Sequence, residues 1–251
     1  MKKVVIMLLL LMSINTIKVI AENIDIQQNG ELVSQIEKYY KTVTNYSLSQ
    51  INMNNANASN TYTIEITKDE YERYNPMLEP KSVSIETTYK KMTTSIYSKD
   101  SYYRYQVELN WKNIPSTRSY DTIAIGFPAS VKYQGTPSFL ERYCTSESSC
   151  YETTGYSFLF RSTNGVGVTF QIPTGTISSM SQKLSFNVAK NTNETILRQY
   201  AYGDYAHATK KISLEKAKKY RVDCAGIVFE DGTISYYDEI STARAEWSGT
   251  W

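Results

Sequence analysis

The chain has 251 residues and a near-even charge balance, 27 Lys and Arg against 25 Asp and Glu, so no whole-molecule field points to nucleic acid as a partner. Aromatic residues make up 13% of it, with 22 Tyr, which supplies more burial than a disordered chain carries and suits half-buried pleated surfaces. At this length one core of good size is the expected organisation.

Lys2 and Lys3 precede an unbroken apolar run, Val4 to Met12, and Val19-Ile20-Ala21 supplies the short side chains at which an export signal is cut. Ser13, Asn15, Thr16 and Lys18 interrupt the run well short of the roughly 20 apolar residues that span a bilayer. Residues 1–21 therefore read as a signal peptide, the protein as secreted and extracellular, with no transmembrane segment after cleavage. Residues 22–60 read as an N-terminal helix and a linker. Asn29 can cap a helix in which Leu32, Ile36, Tyr39, Tyr40 and Val43 recur at spacings of three and four, and Asn52 to Asn60 has no apolar period.

Over residues 61–251 the period changes to two. Tyr103, Tyr105, Val107, Leu109 and Trp111 alternate without error against polar neighbours, the firmest strand in the chain. Val83 to Tyr89 alternates on odd positions and Met92 to Ile96 on even ones, which predicts a bulge or turn between them. Further strands are expected at 120–127, 130–133, 155–161, 166–172, 183–188 and 196–202. Asn164-Gly165 predicts a hairpin joining the Phe158–Phe160 segment to Val166, and Asp231-Gly232 one joining 226–229 to 233–237. Ser213 can cap a short helix, Leu214 to Tyr220. The fold class that follows is mainly β: an antiparallel two-sheet, sandwich-like domain with a short N-terminal helix and one short helix in the C-terminal region.

Cys144 and Cys150 bracket a flexible polar stretch that closes easily after export, so a disulfide is expected, while Cys224 reads as a small apolar strand residue. His207 is the one histidine. It can act as a general base if a carboxylate such as Asp204 orients it, but no G-x-S-x-G, no H-E-x-x-H and no second histidine accompany it, so a histidine at a turn or strand end is the plainer reading. No metal and no cofactor is expected. A glycoside hydrolase needs two facing carboxylates, and sequence does not show whether Asp121 and Asp238, for example, face each other.

Lys210, Lys211, Lys216, Lys218, Lys219 and Arg221 cluster around the second helix and can meet an anionic polymer, although a solvated helix face accounts for them too. Tyr39-Tyr40, Tyr102-Tyr103 and Tyr236-Tyr237 each place one ring inward and one outward on a strand, and outward rings can stack on sugars or fill a protein interface. The Ser/Thr-rich stretch Ser82 to Ser98 has some of the alternation of a membrane hairpin, but Lys90, Lys91 and Lys99 spoil a lipid face.

The block Leu109-Asn110-Trp111-Lys112-Asn113-Ile114-Pro115-Ser116-Thr117-Arg118-Ser119-Tyr120-Asp121, with Gly203-Asp204-Tyr205-Ala206-His207-Ala208, resembles uncharacterised secreted proteins of low-GC Gram-positive bacteria. The resemblance implies source and export, and no activity. The leading expectation is a secreted, non-catalytic binding or surface-interaction protein whose partner is a cell-wall polymer, a carbohydrate or a host protein. A β-type membrane-active, pore-forming-like toxin is the alternative, and a secreted hydrolase the third.

Overall fold

Two antiparallel sheets pack face to face in the computed structural model, which describes residues 30–46, 58–74 and 85–251. The first sheet contains β1 (Glu31–Tyr46), β2 (Ala58–Ile66), β3 (Ile85–Lys99), β4 (Tyr102–Trp111), β6 (Val131–Ser146), β7 (Ser149–Thr153) and β10 (Ser179–Lys190), in the order β2-β1-β3-β4-β10-β6-β7. The second contains β5 (Tyr120–Gly126), β8 (Phe158–Arg161), β9 (Gly165–Gln171), β11 (Arg198–Ala208) and β14 (Tyr237–Ser248), in the order β14-β11-β5-β9-β8. The mainly-β, sandwich-like architecture expected from the alternation is the one observed.

Alternation decides which side chains lie between the sheets. In β4 every second residue from Tyr103 to Trp111 is buried, and these meet Ile123 and Ile125 of β5, Val166 and Val168 of β9 and Tyr205 of β11 in the main core. At Gly203 the sheets approach so closely that a Cβ would stand 2.1 Å from Thr94 Oγ1 and 2.6 Å from Val107 Cγ2. A third layer covers part of the outer face of the second sheet. It is built from α2 (Leu214–Ala217) and the hairpin of β12 (Tyr220–Asp223) and β13 (Gly226–Phe229), whose Ala217, Tyr220, Val222 and Ile227 pack on Ala124, Ala206 and Ala208.

Several expectations are corrected. Residues 32–43 are not a helix: they lie within β1, paired with β2 on one side and β3 on the other. Val33, Ile36, Thr42, Val43 and Thr44 are β-branched and favour the strand, and both faces of it are partly buried. Tyr40 enters the main core, while Tyr39 joins Ile66 and Tyr89 on the outer face, beneath Tyr71 and Tyr74. A register shift at Leu32/Ser34 turns both Val33 and Ile36 toward the main core. Burial on two faces is what imitated a helical period. The short helix nearer the N-terminus is instead α1 (Lys68–Arg73), capped by Thr67 Oγ1 accepting from the Glu70 N–H at 3.1 Å.

β3 contains no bulge at Tyr89–Met92, since its register against β1 and β4 runs unbroken through those residues. The parity slips because Thr88, Lys90, Met92, Thr94 and Ile96 face the core while Tyr89 is buried on the other side. Asp231-Gly232 makes a turn with both residues at positive φ, yet it leads into a 3-10 turn at Thr233–Tyr236, and β13 pairs with β12 instead. Helix α2 ends at Ala217, so Tyr220 opens β12. β6 runs far beyond the expected 130–133, through an irregularity around Gly135 and Pro137 that breaks the apparent pattern. Residues 1–21, expected to be a signal peptide, and positions 52–57 of the Asn-rich stretch lie outside the described residues, and Ala58–Asn60 belong to β2.

Candidate functional site

The chemistry-bearing side chains converge at one place between the sheets. Asp121 on β5 is completely buried, and three donors converge on its carboxylate. Oδ1 accepts from the Ala208 N–H at 2.9 Å, and Oδ2 takes the Tyr205 hydroxyl and lies 2.9 Å from His207 Nδ1. Tyr205 and His207, two residues apart on β11, point to the same face, so the strand period itself presents both to Asp121. Burial, then the Asp121 charge, holds the Tyr205 phenol well above its ordinary value and keeps it a donor.

Trp111 links this group to two others. Its ring stands edge-on to His207, with centroids 5.3 Å apart, and Lys90 Nζ lies 4.9 Å from its centre. Lys90, fully buried on β3, sits 3.3 Å from Asp238 Oδ2 on β14. Asp238 is directly across the β11–β14 ladder from His207, and its Oδ1 accepts from the Thr63 hydroxyl of β2. Burial raises the Asp238 carboxyl, but Lys90 and the Thr63 hydroxyl lower it further than burial lifts it, so it lies below the usual carboxylate range. On the other side, Trp111 Nε1 donates to Gln182 Oε1 at 3.2 Å and Gln182 Nε2 donates to Glu141 Oε1 at 3.0 Å. Burial lifts Glu141 to about 7 despite the Gln182 bond, helped by the nearby Asp121 charge.

Asp204 and His207 are not brought together. Three positions apart on one strand they face opposite sides, and Asp204 turns outward, where Oδ2 accepts from the Ile227 N–H at 2.9 Å. Gly226, at φ +114°, allows that approach, because a Cβ there would stand 2.4 Å from the same oxygen. Asp121, not Asp204, orients the histidine. Asp121 and Asp238 flank it from either side.

Cys144 and Cys150 are joined by a disulfide across the β6–β7 hairpin, with a Cα–Cα distance of 4.0 Å. Cys224 is a free, exposed thiol at the tip between β12 and β13. Of the basic cluster, Lys218 pairs with Glu215 and Lys219 with Asp231, at 2.9 and 2.8 Å. Lys216 donates to the Tyr236 hydroxyl at 3.1 Å and Lys210 lies over the same ring, while Lys211 and Arg221 are exposed.

Beyond the edge of the third layer, the outer face of β11 carries Tyr200 and Tyr202, with ring centroids 5.1 Å apart. The Arg244 guanidinium of β14 lies 4.9 and 5.4 Å from them and 3.0 Å from Glu246, forming a ledge of two phenol rings and a paired cation. Sequence reading missed Lys90, Glu141, Gln182 and this ledge. The signal for Lys90 was its parity with Met92, Thr94 and Ile96; that for the ledge was Tyr200 and Tyr202 at a spacing of two.

The chain matches no protein-family model and no curated protein. It is similar in structure to the collagen-binding domain of a Staphylococcus aureus adhesin, at 10% identity and a TM-score of 0.32, over 58% of this chain and 88% of that one. The collagen-binding domain of the Erysipelothrix rhusiopathiae surface protein RspB aligns at 8% identity and a TM-score of 0.28, over 65% and 66% of the two chains. AvmM, which catalyses macrocyclisation in alchivemycin A biosynthesis, aligns at 9% identity and a TM-score of 0.23, over 58% and 79%. Among the described residues no helix is long and apolar enough to cross a membrane.

Proposed function

We propose that the protein is an exported, non-catalytic surface-interaction domain that binds a glycan chain of the cell wall or of a host surface on the outer face of its second sheet. The observation that carries the reading is the ledge of Tyr200, Tyr202 and Arg244. Phenol rings offer flat apolar area with a hydrogen-bonding tip, and a guanidinium held beside them donates to hydroxyls in a fixed fork, the combination that accepts the apolar face and polar rim of a sugar ring. His207 and Asp121 support a non-catalytic role, because they are buried between the sheets rather than presented to a diffusing substrate.

The test is a pull-down of the purified chain with insoluble cell-wall polysaccharide, with immobilised collagen as the host-protein arm. Binding to polysaccharide that weakens about tenfold in Tyr202→Ala and in Arg244→Ala supports the reading, since an aromatic contact of this kind contributes of order 1 kcal/mol or more. Binding unaffected by both substitutions but abolished by salt moves the site to Lys210, Lys211 and Lys216. Retention on collagen alone, or dye release from lipid vesicles, overturns it.

A further inference from the structure

Lys90 and Asp238 are the one oppositely charged pair, among the described residues, that joins the two sheets with both partners buried. Lys90 lies in the centre of the first sheet, Asp238 in the last strand of the second, 148 positions further along. Burying an ammonium and a carboxylate is costly unless both are well satisfied. Around Asp238 the Thr63 hydroxyl holds Oδ1, Thr42 adds a second side-chain hydrogen bond, and Oδ2 faces Lys90 at 3.3 Å. The amine otherwise faces the ring of Trp111.

We propose that Lys90 and Asp238 condense into an amide that covalently ties the two sheets. The Lys90 Nζ–Asp238 Cγ bond forms and the Cγ–Oδ2 bond breaks. Two of the three ammonium protons leave with Oδ2 as water, the third stays on the amide, and no oxidant, reductant or co-reactant is consumed. His207, across the ladder from Asp238 and held by Asp121, is placed to relay a proton from Nζ to the departing oxygen. Thr63 is placed to stabilise charge gathering on Oδ1 and afterwards to donate to the amide carbonyl. Fixing both groups in one packed core replaces an encounter in solution by an effective concentration of order 10⁵ M or more, and departure of water to solvent draws the step forward. The product exchanges two buried charges for one amide, whose carbonyl keeps Thr63 and whose N–H faces the Trp111 ring.

The experiment is intact mass spectrometry of the whole purified chain with the disulfide reduced, followed by proteolysis. The wild type is expected to weigh one water less than its processed sequence and to give a branched peptide joining the Lys90 and Asp238 segments. Lys90→Ala and Asp238→Ala are expected at full sequence mass. Because truncating either partner also strips the core of a buried pair, Asp238→Asn is the second variant: condensation there expels ammonia, so the deficit changes from one water to one ammonia in a folded chain. His207→Gln is expected to give the same product about a hundredfold more slowly, which a purely structural histidine would not do. A wild-type chain at full mass, or a deficit without the branched peptide, overturns the cross-link, and an unchanged rate in His207→Gln overturns the relay. None of these results depends on what the outer face binds.

Discussion

Glu141 shows how one buried side chain ties stability to pH. Its carboxyl titrates at about 7 in the folded protein against 4.5 for an ordinary glutamate, because burial penalises the charged form more than Gln182 rewards it. Between those two values the folded state binds more protons than the unfolded one, so stability is greatest below about 4.5 and falls as pH rises toward 7. At 1.36 kcal/mol per unit the group removes about 3 kcal/mol across that window. Glu141→Gln keeps an amide where the protonated acid stood, and the variant is expected to unfold in urea with a midpoint nearly independent of pH from 4.5 to 7. An unchanged pH slope would assign the effect elsewhere. Gly203 is constrained by space: the Cβ of Gly203→Ala would collide with Thr94 and Val107 of the facing sheet. Overpacking of that kind costs about 1–3 kcal/mol, and a thermal shift of several degrees downward is expected.

At the level of elements, β7 is the least anchored strand. All five of its residues are exposed, it pairs only with β6, and its second hold is the disulfide between Cys144 and Cys150. A bond closing so short a loop restrains the unfolded chain by about 2 kcal/mol in the loop-entropy account. Because the restraint acts on an edge hairpin, replacing both cysteines by serine is expected to speed amide exchange in β7 and the end of β6 while exchange in β4 stays as it was. Equal acceleration in β4 would show the hairpin to be part of the global cooperative unit. A strand with one buried face was legible in sequence: β4 lies where alternation places it, and β9, buried on both faces, was marked by the Asn164-Gly165 turn before it. β1 and the parity of β3 were not, because both mix two sets of apolar residues and no single period survives. The polar cluster was illegible for a related reason. Its members come from β2, β3, β4, β5, β6, β10, β11 and β14, so no local spacing joins them, and only His207 and Tyr205 share a strand.

The order of strands couples the two ends of the molecule. β14 is the last strand in sequence and lies at an edge of the second sheet, yet it closes the core over β1, where Ser34 Oγ donates to the Glu246 carbonyl at 2.7 Å. It contributes Ala243 and Ala245 to the main core, and just past it Trp251 joins Trp247 in packing on Tyr103. Without it Lys90 keeps a buried ammonium with no carboxylate, and removing one member of a buried pair costs about 3–5 kcal/mol before any lost packing is added. Marginal stability for a domain is of order 5–15 kcal/mol, so these losses are comparable with the whole. A chain ending at Tyr236 is therefore expected to show no cooperative thermal transition and to bind a hydrophobic dye, although both sheets retain most of their strands. The first sheet would have to fold alone for the truncated chain to melt sharply near the full-length midpoint. That outcome would mean that β14 is an addition to a completed core rather than the piece that completes it, and folding would then be able to proceed from the N-terminal side as the chain emerges.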